Sequence, residues 1–113
     1  MNAQVKRLVE GKVAVVSFDG DIDFSVLAEM HKAVDEALAL KLPWVLIDLS
    51  AVTFIASDGL GVLIEAHRKA SGEGRKLDLI HPQPHILGML RKTQLTRLFH
   101  VYETVDAALA AES

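Results

Sequence analysis

Two apolar, β-branched runs with one amphipathic stretch between them constrain this chain more than any other feature. The first run, Gly11-Lys12-Val13-Ala14-Val15-Val16-Ser17-Phe18, reads as a strand, and Asp19-Gly20-Asp21 behind it carries a turn signal. From Ser25 to Leu40 the apolar residues Val26, Leu27, Met30, Ala33, Val34, Ala37 and Leu38 recur at three- and four-residue steps. That spacing predicts an amphipathic helix with Ser25 at its cap. Pro43 prevents continuation, and Trp44-Val45-Leu46-Ile47 is the continuous apolar run expected of a strand buried on both faces. Strand, helix and buried strand in that order imply a right-handed parallel crossover, because only that hand packs the helix back on the sheet.

The unit repeats downstream. Leu60 to Ala70 reads as a second helix ended by Ser71-Gly72-Glu73-Gly74, and Lys76-Leu77-Asp78-Leu79-Ile80 as a further strand. Pro82 and Pro84 open a third helix running to Lys92. Leu95 and Leu98-Phe99 lead into a short strand at Val101-Tyr102, and Thr104 caps a last helix with Val105, Ala108 and Leu109 on one face. Upstream, Val5 to Val9 is expected to pair antiparallel at the sheet edge across Glu10-Gly11. The expected fold class is α/β, a small mixed sheet of four to five strands covered by about four helices.

Composition narrows the function classes. A chain of 113 residues suits one domain over residues 1–113, and half of its residues are hydrophobic, enough to offset the entropy of ordering it. Cysteine is absent, so disulfides, thiolate nucleophiles and cysteine metal sites drop out. A net charge of -3 opposes broad nucleic-acid binding, which needs a basic face to release counterions. The opening Met1-Asn2-Ala3-Gln4-Val5-Lys6-Arg7 has no signal-peptide core, and no run approaches the ~18 apolar residues of a membrane span. The expectation is a cytoplasmic protein without a cofactor; the pattern assigns no oligomeric state.

The segment Asp48 to Ile64 carries the functional information. It is read as lying between the central strand and the second helix, with Ser57 or Asp58 supplying the helix cap. Gly59 and Gly61 fall in the first helical turn, where glycine costs up to about 1 kcal/mol relative to alanine. Either the helix start packs closely on its neighbour, or its amides are left open to a ligand or partner.

Other constellations point to no chemistry. His81 and His85 stand four apart, but Pro82 and Pro84 intervene and oppose a shared helical face for a metal. Around Ser57 there is no Gly-x-Ser-x-Gly elbow. Ile64 stands where a dinucleotide fingerprint would need its third glycine, and no Gly-Lys-Ser or Gly-Lys-Thr follows. No catalytic set, metal site or enzyme activity is expected. The acids Asp19, Asp21 and Asp23 lack calcium-loop spacing and read as turn formers or interface residues.

Asp48-Leu49-Ser50 followed by Ser57-Asp58-Gly59-Leu60-Gly61-Val62-Leu63 resembles the signature of STAS domains, especially bacterial anti-sigma factor antagonists. Gly20-Asp21-Ile22-Asp23 resembles that family's Gly-Glu-Leu-Asp, and Leu90 to Leu95, Leu98-Phe99 and Val105 to Leu109 resemble its C-terminal pattern. The resemblance covers nearly the whole chain. It implies a regulator of transcription that docks a protein partner, an anti-sigma factor and serine kinase, through Asp21, Asp23 and the run Ala56, Ser57, Asp58, Gly59, Leu60 and Gly61.

The family's run is commonly Asp-Ser-Ser-Gly-Leu-Gly, and its second serine is phosphorylated from ATP. Here Asp58 occupies that switch position, and Ser57 is the alternative phosphosite. An aspartate carries one charge where phosphoserine carries about -1.5 to -2, so the expectation is loss of kinase control at this position. The other reading that the resemblance implies is an adaptor subunit of a lipid-transport or stress-signalling assembly, with no phosphoswitch.

Overall fold

The computed structural model describes residues 2–8 and 11–112. Its strands are β1 (Ala3–Leu8), β2 (Val13–Ile22), β3 (Trp44–Ile55), β4 (Lys76–Ile80) and β5 (Val101–Tyr102). Its helices are α1 (Leu27–Ala39), α2 (Ser57–Gly72), α3 (Pro84–Lys92) and α4 (Val105–Ala111). The five strands form one sheet in sequence order. β1 runs antiparallel to β2 at the edge, as its polar pattern suggests, and the remaining neighbours are parallel. Val9 and Glu10, part of the expected hairpin, lie outside the described residues.

Alternation along the strands sends side chains to two cores. Ala14, Val16 and Phe18 of β2, Val45, Ile47 and Leu49 of β3, and Leu77 and Leu79 of β4 face one side. There they meet Met30, Val34 and Ala37 of α1, Leu63 and Ala66 of α2, and Ile86 and Leu90 of α3. Val13, Val15, Trp44, Leu46 and Ile80 face the other side, where Ala108 of α4 lies among them and Val105 and Leu109 pack beside it. The run Trp44 to Ile47 is buried throughout because both faces are covered there. On the α4 side the buried Asp78 accepts hydrogen bonds from Trp44 Nε1 at 3.0 Å and from the His100 amide at 2.8 Å, so its carboxylate is satisfied.

Three local expectations are corrected. Asp19-Gly20-Asp21 does not end β2; it continues to Ile22, with Gly20 at φ +73°. Asp48 to Ile55 is not a loop but the outer half of β3, which pairs with β2 through two register shifts. At each shift β3 carries one extra residue, so two bulges absorb the polar residues that look like turn formers in sequence. Finally, a 3₁₀ turn over Phe24–Val26 precedes α1. Its cap is Asp23, whose carboxylate accepts from the Ser25 amide, whereas Ser25 itself caps nothing. The Thr104 cap of α4 is as expected, accepting from the Ala107 amide at 2.9 Å.

Candidate functional site

The outer halves of β2 and β3 project beyond the sheet's central region and end together. Ile22 pairs with Ile55, and the Ala56 amide donates to the Ile22 carbonyl at 2.9 Å. The chain then turns directly into α2. The residue before the helix is Ala56, in extended conformation, and no side chain caps the helix start; Ser57 and Asp58 are its first two residues. The expectation that either of them caps α2 is therefore overturned. Gly59 and Leu60 donate their amides to the Ala56 carbonyl at 2.9 and 3.1 Å, which closes the first turn.

The two glycines have different causes. A Cβ on Gly59 would stand 2.9 Å from Ile55 Cγ1 and 3.0 Å from Ile22 Cγ2, so this residue is glycine because the helix start lies hard against the ends of β2 and β3. A Cβ on Gly61 would meet nothing within 4 Å. Gly59 and Leu60 face the interior, while Ser57, Asp58 and Gly61 face solvent. Among the described residues the Asp58 carboxylate has no hydrogen-bond or ion-pair partner. It sits at the positive end of the α2 dipole, where a negative charge is favoured.

Asp21 and Asp23 belong to the same end of the sheet. Thr53 Oγ1 donates to Asp21 Oδ1 at 2.5 Å, tying the tips of β2 and β3 together. The Ser25 hydroxyl and amide both donate to Asp23 Oδ1, and these bonds hold the Asp23 carboxyl below its ordinary range, the side-chain bond first. His85 Nε2 stands 2.7 Å from the Thr53 carbonyl, which only accepts, so that ring nitrogen carries the proton and donates. His85 thus braces the β3 tip from α3. His81 lies apart from it, 3.2 Å from Glu103.

Sequence reasoning passed over two residues here. Phe24 is 78% exposed and Phe54 is 48% exposed. Phe24 stands two residues beyond Ile22 and Phe54 two residues before Ala56, so both lie beside the junction that launches α2. In sequence each looks like an ordinary core aromatic; the register of the bulged strands turns Phe54 outward, and Phe24 lies in the 3₁₀ turn that follows β2.

The STAS domain family matches residues 4–108. The chain belongs to the STAS domain family. Within it the chain is of the anti-sigma factor antagonist type, which is regulatory rather than enzymatic. It is 31% identical over 97 residues to the anti-sigma-F factor antagonist RsfB of Mycobacterium tuberculosis, spanning 86% of this chain and 79% of the relative. The structure of an anti-sigma factor antagonist from Mycobacterium paratuberculosis superposes with a TM-score of 0.87 at 31% identity, covering 97% of this chain and 92% of the other. A putative anti-sigma factor antagonist from Thermotoga maritima shares the fold, with a TM-score of 0.85 at 20% identity over 96% of this chain and 92% of the other. Among the described residues of this STAS domain, no helix is long and apolar enough to cross a membrane.

Proposed function

We propose that residues 1–113 act as one regulatory domain that docks an anti-sigma factor of the serine-kinase type through the junction of β2, β3 and α2. The observation that carries this reading is Asp58: exposed, without an intramolecular partner among the described residues, and second in a helix that begins without a side-chain cap. The matching residue of the resembling family is a serine whose phosphorylation sets partner affinity. Here one negative charge is permanent, and it falls short of a phosphoserine in both charge and acceptor number.

The exposed surface at this junction offers a partner two kinds of contact. Phe24 and Phe54 supply apolar area of the sort enriched in interface cores. Asp21, Asp23, Ser57 and Asp58 surround it with polar groups that set orientation and partner choice. Gly59 and Leu60 act from beneath by fixing where the helix start stands. In this reading the domain stays competent for its partner and outside kinase control.

The test is calorimetric binding of the source organism's serine-kinase anti-sigma factor to the wild type and to Phe24→Ser. The substitution is expected to weaken binding on the order of ten-fold, since an aromatic anchor is lost from the contact. Equal affinities would place the docking surface elsewhere. The same permanent charge at Asp58 favours a second reading, a STAS adaptor in a lipid-transport or stress-signalling complex that needs no phosphoswitch. That reading predicts no binding to such a kinase.

A further inference from the structure

At the far end of α2, about 20 Å from Asp58 by the helical rise, a cavity of about 480 Å³ opens between the last turns of α1 and α2. Lys41, Arg68, Lys69 and Arg75 line it together with Asp35 and Glu73, so four cationic side chains face two carboxylates. That excess is the reverse of the chain as a whole, whose net charge is -3. The docking reading at the other end of α2 makes no use of it.

The cationic side chains are partly organised. Lys41 Nζ donates to Glu73 Oε2 at 2.7 Å, and Arg75 Nη2 donates to the other oxygen of the same carboxylate. Arg75 Nη1 donates to the Leu38 carbonyl at 3.1 Å. The Arg75 side chain is only 8% exposed, and its Nε is a buried donor without a partner among the described residues. A buried donor left unpaired is unfavourable and calls for an explanation such as an absent acceptor. Lys69 has no ion-pair partner among the described residues, and Arg68 reaches Glu65 only at 4.0 Å across exposed surface. Lys41 has two donors beyond the one it gives to Glu73.

We propose that this cavity binds a small polyvalent oxyanion, a molecule bearing two or more phosphate or carboxylate groups. Glu73 holds Lys41 and Arg75 in place at one wall, and Lys69 and Arg68 close on the ligand from α2. A single monovalent anion would leave most of these charges unmatched. Asp35 opposes the ligand and limits its affinity.

The experiment is an amide-resolved NMR titration of the full chain with inorganic pyrophosphate and, separately, with citrate. The expected result is saturable shifts confined to the amides around Lys41, Lys69, Gly72 and Arg75; the tighter of the two probes assigns phosphate or carboxylate chemistry. The exposed double variant Arg68→Gln with Lys69→Gln is expected to weaken binding on the order of ten-fold, and Asp35→Asn to strengthen it about three-fold. An unchanged thermal midpoint would show that both variants are folded. No saturable shift with either probe up to about 10 mM, or shifts that neither variant alters, would overturn the proposal.

Discussion

Gly59 stands so close to Ile55 that the Cβ it lacks would fall 2.9 Å from Ile55 Cγ1. Because Ile22 crowds the same point at 3.0 Å, the start of α2 is locked onto the paired ends of β2 and β3. Gly59→Ala must push two buried side chains, and it is expected to lower stability by about 1–3 kcal/mol. Urea unfolding followed by circular dichroism measures this; an unchanged midpoint would mean that the junction has slack.

Gly61, two residues on, predicts the opposite sign. With open space around its missing Cβ, Gly61→Ala is expected to stabilise the fold by up to about 1 kcal/mol through reduced backbone freedom. If the exposed helix start is the docking surface, the same substitution weakens partner binding while stability rises. Parallel measurements of unfolding and of partner affinity separate the two effects.

The difference between the glycines marks what was legible in sequence. The spacing placed both in one helical turn, but it could not tell close approach from exposure. Strands β4 and β5 and helix α3 were readable because short apolar stretches bounded by turn residues, and the proline positions, mark them locally. The outer half of β3 was not readable, since Asp48, Ser50 and Thr53 interrupt the apolar run. Asp48 even accepts from the Ser50 amide and hydroxyl, as a turn-forming aspartate would. What makes that segment a strand is pairing with the tip of β2, a tertiary fact, and the same pairing turns Phe54 outward. The pattern of the resembling family supplied Asp58; Phe24 and the charge around Arg75 required coordinates.

Asp78 and Trp44 offer a test of the α4-side core. Asp78→Ala would strand the Trp44 indole donor and the His100 amide, and it is expected to cost roughly 2–4 kcal/mol. Trp44 is the chain's single tryptophan, so its fluorescence reports the change directly. An emission spectrum and unfolding midpoint matching the wild type would show that this bond carries little.

Two groups give pH dependence of opposite sign. The Asp23 carboxyl is held below the ordinary carboxylate value of 3.8, chiefly by the Ser25 hydroxyl, so its contribution is present above that value. It is lost as pH falls through the lower folded value. Tyr102 is raised above 10.0, first by burial and then by Asp78 and Glu112. Its folded state holds the proton longer, so stability is lost as pH rises above 10. Asp23→Ala should flatten the acid limb of a stability profile and Tyr102→Phe the alkaline limb, as thermal midpoints across pH would show.

In the proposed function, Asp58 makes permanent a charge that a serine at this position would gain only on phosphorylation. The direct measurement is binding of the serine-kinase anti-sigma factor to the wild type and to Asp58→Ser, each with and without ATP, with intact masses recorded. The wild type is predicted to gain no phosphate and to bind equally in both conditions. Asp58→Ser is predicted to gain one phosphate in ATP and to lose affinity by on the order of ten-fold or more. Phosphate on Ser57 of the wild type, or identical behaviour of the two proteins, would contradict the account.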